Sequence, residues 1–226
     1  MMLNFVRKLA RSGRNRYALF LLHGYYGNGK NIMELAEYFS RFLLEFSNDL
    51  CFIAPNAPEK IADNSYQWFP LDVEYITPES VAGAVARNHR TFRDFLEKQI
   101  RELSLIYKNI FLLGFSQGAM MALYTGIRLD QRIGGIVSFS GLQPDSLGSI
   151  ESDARTGQRV LMLHSSCDSV VPYSCLAYSR NLLENFGSEV SVHICQNDVG
   201  HFIDQDCLEA AGNFIGKVIR DSEDNV

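Results

Sequence analysis

Asn109-Ile110-Phe111-Leu112-Leu113-Gly114-Phe115-Ser116-Gln117-Gly118 puts one serine between two glycines, directly after an apolar run. The run has the length and composition of a strand buried on both faces. Residues 117–129 then read as a helix. A strand that turns at once into a helix holds its turn residue in a strained backbone conformation. Flanking glycines, lacking Cβ, let the two elements pass close to that turn. The Ser116 hydroxyl is thereby lifted out at the top of a sheet, beside the start of the next helix.

Strand-like and helix-like segments alternate on both sides of this turn. Tyr17–His23 and Leu50–Ala54 are short apolar runs, and 133–140, 159–164 and 189–195 read as further strands. Apolar residues at helical spacing mark 31–46, 81–107, 173–186 and 203–219. Pro78 followed by Glu79 suits the start of the 81–107 helix. The alternation predicts a single α/β domain with a mostly parallel, doubly wound sheet. Residues 56–77, rich in proline and aromatics, read as a long ordered loop. The connection 141–158 is polar and short, which leaves little room for a large lid. The domain is expected over 17–220, after a basic arm at 1–16 and before a polar tail at 221–226.

Composition narrows the functional classes. The 226 residues are 46% apolar and 21% charged, as in an ordinary globular enzyme. A net charge of −5 argues against nucleic acid as a partner. Arg7, Lys8, Arg11, Arg14 and Arg16 face no acid within residues 1–16. That arm is read as a solvated segment leading into an edge strand, with a short transit or membrane-surface segment as the alternative. Five cysteines without a C-x-x-C pair point to reduced thiols in a cytoplasm, with neither a zinc site nor a disulfide framework. No stretch approaches the length of a membrane span. No metal or organic cofactor is expected.

A serine hydroxyl needs a base to take its proton and an acid to orient that base. Asp168 follows strand 159–164 in His164-Ser165-Ser166-Cys167-Asp168-Ser169-Val170-Val171-Pro172. His201 follows strand 189–195 in Gly200-His201-Phe202. Both fall in loops beyond the C-terminal ends of strands, where parallel sheets place their sites. Of the five histidines, His23 is read as shaping a loop, His164 and His193 as structural, and His89 as a partly exposed helix residue. Asp204 and Asp198 compete with Asp168 for the acid role. Asp204 better suits a cap on the last helix, and Asp198 is too close in sequence to bridge to His201. The resulting triad is Ser116, Asp168 and His201. An oxyanion would be met by the backbone N–H of Gln117, at a helix N-terminus, and by an amide from the glycine-rich loop 23–29.

With these residues in place, the chain resembles the phospholipase/carboxylesterase family of α/β-hydrolases, which includes acyl-protein thioesterases, and within it the bacterial carboxylesterase branch. The resemblance runs from Tyr17 to about Ile219. It rests on Leu22-His23-Gly24 with Gly27-Asn28-Gly29, on Pro55-Asn56-Ala57-Pro58 and Gln67-Trp68-Phe69, and on the elbow, the acid loop and Gly200-His201. It implies the α/β-hydrolase fold, with Tyr25 and Gln117 as the oxyanion amides. Tyr25 and Asn28 depart from residues common in the family, and a bulky Tyr25 would narrow the acyl site. Tyr66, Trp68, Phe69, Leu71 and Val170 are candidates to line an acyl groove.

The expected activity is hydrolysis of carboxylic esters or thioesters through an acyl-enzyme. The substrate would be a small-molecule or lipid-like ester, and the protein a monomer or homodimer. The competing readings are a non-catalytic acyl- or protein-binding member of the fold and a serine peptidase or amidase.

Overall fold

A computed structural model of the chain describes residues 3–71, 76–144, 156–195 and 200–224. Seven strands form one sheet: β1 (Phe5–Lys8), β2 (Tyr17–Leu22), β3 (Leu50–Pro55), β6 (Ile110–Phe115), β7 (Gly135–Phe139), β8 (Arg159–Ser165) and β9 (Glu189–Cys195). Their order is β1-β3-β2-β6-β7-β8-β9, parallel throughout except for the antiparallel pairing of β1 with β3. The α/β-hydrolase expectation of a mostly parallel sheet therefore holds, with β6 near its middle.

The inner strands separate two cores by simple alternation. Ala18, Phe20 and Leu22 of β2 face one side, while Tyr17, Leu19 and Leu21 face the other. The first face is covered by α3 (Pro78–Glu102), α4 (Gln117–Gly126) and α5 (Ser174–Asn185). The second is covered by α2 (Leu35–Phe42) and α6 (Gln205–Glu223). A strand buried on both faces needs the near-continuous apolar composition seen in β2 and β6.

Several local expectations change. The basic arm is not solely a solvated lead-in, because Phe5–Lys8 adds an antiparallel edge strand to β3. The expected 31–46 helix divides into α1 (Gly29–Ile32), α2 and a short 3-10 turn at Leu44–Phe46. The expected loop at 56–77 contains a hairpin, β4 (Glu59–Ala62) with β5 (Ser65–Gln67). The last helix runs on to Glu223, into the expected tail. Residues 145–155 of the 141–158 connection lie outside the described residues. Thr77 caps α3 by accepting from the Ser80 amide, with Pro78 in the first turn.

The elbow decides how closely β6 and α4 approach. A Cβ on Gly114 would lie 2.3 Å from the Gly118 carbonyl carbon, and one on Gly118 would lie 2.2 Å from the Leu22 oxygen. Both contacts are with backbone, which has no rotamer to yield. Gly114→Ala is therefore expected to destabilise the fold by about 3 kcal/mol or more. Gly83, within α3, has open space around the same position. Gly83→Ala should stabilise by up to about 1 kcal/mol through helix propensity. Urea unfolding of the two variants measures both shifts, and equal effects would contradict the packing argument.

Candidate active site

Ser116 sits between β6 and α4 with φ 54° and ψ −118°, a left-handed conformation that costs on the order of 1–3 kcal/mol in a non-glycine residue. The surroundings hold it there. Its amide donates to the Phe139 carbonyl at 2.9 Å, and its own carbonyl accepts from Met120 at 3.0 Å. Only 7% of the residue is exposed.

Asp168 and His201 meet although 33 residues separate them. His201 Nδ1 lies 2.8 Å from Asp168 Oδ2 and 3.1 Å from Oδ1. Asp168 Oδ1 also accepts from the Val170 and Val171 amides, both at 2.9 Å. Burial alone would raise this carboxyl. The His201 hydrogen bond and the two amides outweigh it and bring the group down to about 2, so it is ionised at neutral pH. With Nδ1 committed to Asp168, Nε2 of His201 is the nitrogen free to exchange a proton. The imidazole packs on the ring of Phe115, whose centroid is 4.9 Å away and which directly precedes Ser116. Base and elbow are thus in one cluster.

His164 stands behind the acid. Its Nε2 donates to the Val171 carbonyl at 2.9 Å and lies 3.6 Å from Asp168 Oδ2. Burial lowers its pKa. His193 pairs with Asp206 at 2.8 Å, and His89 lies 3.3 Å from the Thr125 hydroxyl. Asp204 accepts from the Cys207 amide at 2.7 Å and caps α6, as its position suggested. Asp198 lies outside the described residues.

The loop after β2 is built on a neutral histidine. His23 Nδ1 donates to the Gly24 carbonyl at 2.7 Å, and Nε2 accepts from the Ala57 amide at 3.0 Å. This arrangement fixes the tautomer. Burial depresses the ring to about 4, against a weaker upward effect of the Gly24 carbonyl. Among the described residues no hydrogen bond engages the amides of Tyr25 or Gln117, the two expected oxyanion donors.

The side chain of Gln117 does something the sequence did not signal. Its Oε1 accepts from the Trp68 amide at 3.1 Å, and its Nε2 donates to the Phe69 carbonyl at 2.9 Å. One amide group thereby pins the 56–77 segment to the elbow. Trp68 continues the network, donating from Nε1 to the His23 carbonyl at 2.8 Å.

This network corrects two expected groove residues. Trp68 and Phe69 are fully buried and pack into the core, Trp68 edge-on to Phe92. The indole N–H finds its acceptor inside, so neither ring offers a wall to a ligand. Tyr66, Leu71 and Val170 are half-buried against the same core and keep some surface.

The thiol expectation is also corrected. Cys195, at the end of β9, and Cys207, in the first turn of α6, form a disulfide. Their Cα atoms are 5.7 Å apart, within the span of such a bond. The folding of α6 onto β9 brings them together, which spacing along the chain does not show. His201 lies on the segment that the bond closes. Cys195, Asp204 and Cys207 would also suit a metal by proximity, but a bonded pair of sulfurs does not ligate one.

Comparison with known proteins places this site in context. The family model described as Phospholipase/Carboxylesterase matches residues 9–219. Acyl-protein thioesterase 1 of Eremothecium gossypii is 31% identical, over 93% of this chain and 91% of that protein. Acyl-protein thioesterase 1 of Debaryomyces hansenii is 26% identical, over 95% and 97%. Among solved structures, esterase PE8 superposes with a TM-score of 0.87 at 33% identity, covering 96% of this chain and all of that one. The Bacillus cereus carboxylesterase superposes with a TM-score of 0.76 at 19% identity, over 96% and 95%.

Two expectations follow from the site. His23, His89 and His164 all have pKa values lowered by burial, so an unfolded chain binds protons that the folded chain cannot. Their contribution to stability is full above about pH 6.5 and is lost as pH falls toward 4. The urea midpoint should drop across that window, less steeply in His23→Gln, and a flat profile would contradict it. The disulfide closes a loop of 12 residues in sequence separation. Its reduction, or Cys195→Ser with Cys207→Ser, should lower stability by about 2–3 kcal/mol. Unfolding with and without a phosphine reductant checks this.

Proposed function

We propose that this chain, which belongs to the phospholipase/carboxylesterase family, hydrolyses its ester or thioester substrates with Ser116 as nucleophile, His201 as base and Asp168 as the acid. The observation that carries the reading is the His201–Asp168 hydrogen bond, set beside the strained Ser116 elbow through Phe115. His201 Nε2 takes the Ser116 proton as Oγ attacks the acyl carbon. Ionised Asp168 holds the ring and stabilises the imidazolium that forms. The Gln117 and Tyr25 amides stabilise the oxyanion, each such donor being worth about 3–4 kcal/mol of transition-state binding. His201 then protonates the leaving alcohol or thiol. Water, activated by the same imidazole, returns the free enzyme.

The half-buried Tyr66, Leu71 and Val170 keep some surface and are proposed to meet the acyl chain. Among the described residues no helix is long and apolar enough to cross a membrane. Transient contact at a lipid surface fits a lipid-like ester substrate and the basic arm.

Ser116→Ala is expected to cut kcat on p-nitrophenyl butyrate by roughly 10⁴–10⁶ while leaving the unfolding midpoint close to that of the wild type. Labelling by a fluorophosphonate should be lost in the same variant. Equal rates in the two proteins would remove Ser116 from the chemistry.

A further inference from the structure

A small groove opens beside the oxyanion loop, on the α1–α2 side of the elbow. Tyr25, Ile32, Leu35 and Phe115 form its walls, and Asn31 and Glu34 its rim. Its volume is about 280 Å³. That is just under the range of about 300–1,000 Å³ typical of pockets for drug-sized ligands, so it suits a small group. Phe115 is shared between this groove and His201. That shared wall decides which half of a substrate belongs here.

In acyl transfer His201 hands its proton to the departing oxygen or sulfur, so the leaving group must lie on the His201 side of the scissile bond. In the reading proposed above, the acyl chain meets Tyr66, Leu71 and Val170, which do not line this groove. Charge narrows the occupant further. Glu34 is exposed and, among the described residues, has no ion-pair partner within 4.0 Å. No lysine or arginine lines the groove, and Lys30 borders a neighbouring polar cavity instead, which Glu34 also touches. His23, at the base of the groove, is neutral near pH 7. Two aromatic residues, Tyr25 and Phe115, line the groove together with that single carboxylate. Aromatic surface with one acid is the chemistry that recognises an ammonium group.

We propose that this groove is the leaving-group subsite and that it selects small alcohols carrying a cationic, quaternary-ammonium-like end. The proposal rests on the acyl-transfer reading above. Bond changes are those of that reaction: the acyl–oxygen bond breaks, the Ser116 ester forms, and the Ser116 proton reaches the leaving alcohol through His201. Tyr25 then has two roles, its amide toward the oxyanion and its ring toward the leaving group.

The test compares butyrylcholine with 3,3-dimethylbutyl butyrate, a neutral ester of the same shape and the same acyl group. Wild-type kcat/KM should favour the cationic ester about tenfold, as expected for one ring face and one exposed carboxylate. The preference should shrink at least threefold in Glu34→Gln and also weaken as salt is raised. A wild-type ratio at or below one, or a ratio unchanged in Glu34→Gln, overturns the proposal. Hydrolysis of the neutral ester by wild type but not by Ser116→Ala reports the acyl-transfer reading separately. Failure there sinks both, whereas failure of the ratio alone sinks only the subsite.

Discussion

The backbone contact between β6 and α4 is the constraint from which the rest of the site follows. Gly114 and Gly118 bring strand and helix so close that neither position has room for a Cβ. The residue between them is driven to a positive φ, and the hydroxyl it carries is held at the C-terminal end of β6. Strain of this sort persists only where the surroundings over-determine it. Here β7 supplies the acceptor for the Ser116 amide, and Phe115 extends the last strand turn toward the base. The same approach sets the N-terminus of α4 beside Ser116, so a free amide and a helix dipole both point where negative charge would develop.

Around that contact runs a buried polar network whose members are each doubly committed. Gln117 holds the Trp68 amide and the Phe69 carbonyl, Trp68 holds the His23 carbonyl, and His23 holds Gly24 and Ala57. In a low-dielectric interior such bonds are strong when complete and costly when one partner is missing. The network ties three stretches distant in sequence: the oxyanion loop, the hairpin segment and the elbow. Pre-organised donors of this kind need no rearrangement as the reaction proceeds, which is the physical basis of their value in catalysis.

Asp168 and His201 are held by different means. Asp168 is fixed by two amides from its own loop, with His164 packed behind it. His201 is reached from the far side by a segment whose ends are joined through Cys195 and Cys207. Burial alone would neutralise the carboxyl; three hydrogen bonds keep it ionised, and the ionised form is the one that can steady an imidazolium. The proposed leaving-group groove, lined by Tyr25 and Phe115, adjoins this arrangement through the Phe115 ring that His201 packs on.

Much of this was legible in the residues alone, because local backbone chemistry leaves marks in sequence. The glycines around Ser116 had to be there for the elbow to form, and the apolar runs of β2, β3 and β6 announced a sheet covered on both faces. Chain order paired Asp168 with His201, which the structure joins by a hydrogen bond, and the Asp204 cap followed from its position before an apolar stripe. The antiparallel edge strand at Phe5–Lys8 was missed because its partner, β3, lies some 45 residues on and its four exposed residues carry no buried alternation. The hairpin at 59–67 was hidden by the prolines around it. Trp68 and Phe69 looked like groove residues because aromatic composition does not say which way a ring points; packing against α3 and a hydrogen bond to His23 decided that. The Cys195–Cys207 pairing likewise depends on how α6 lies on β9. Sequence by itself determined the fold class and the order of the reactive groups, since both follow from local pattern. Which rings are inside and which thiols meet were decided only by tertiary contacts, which join residues that the chain keeps far apart.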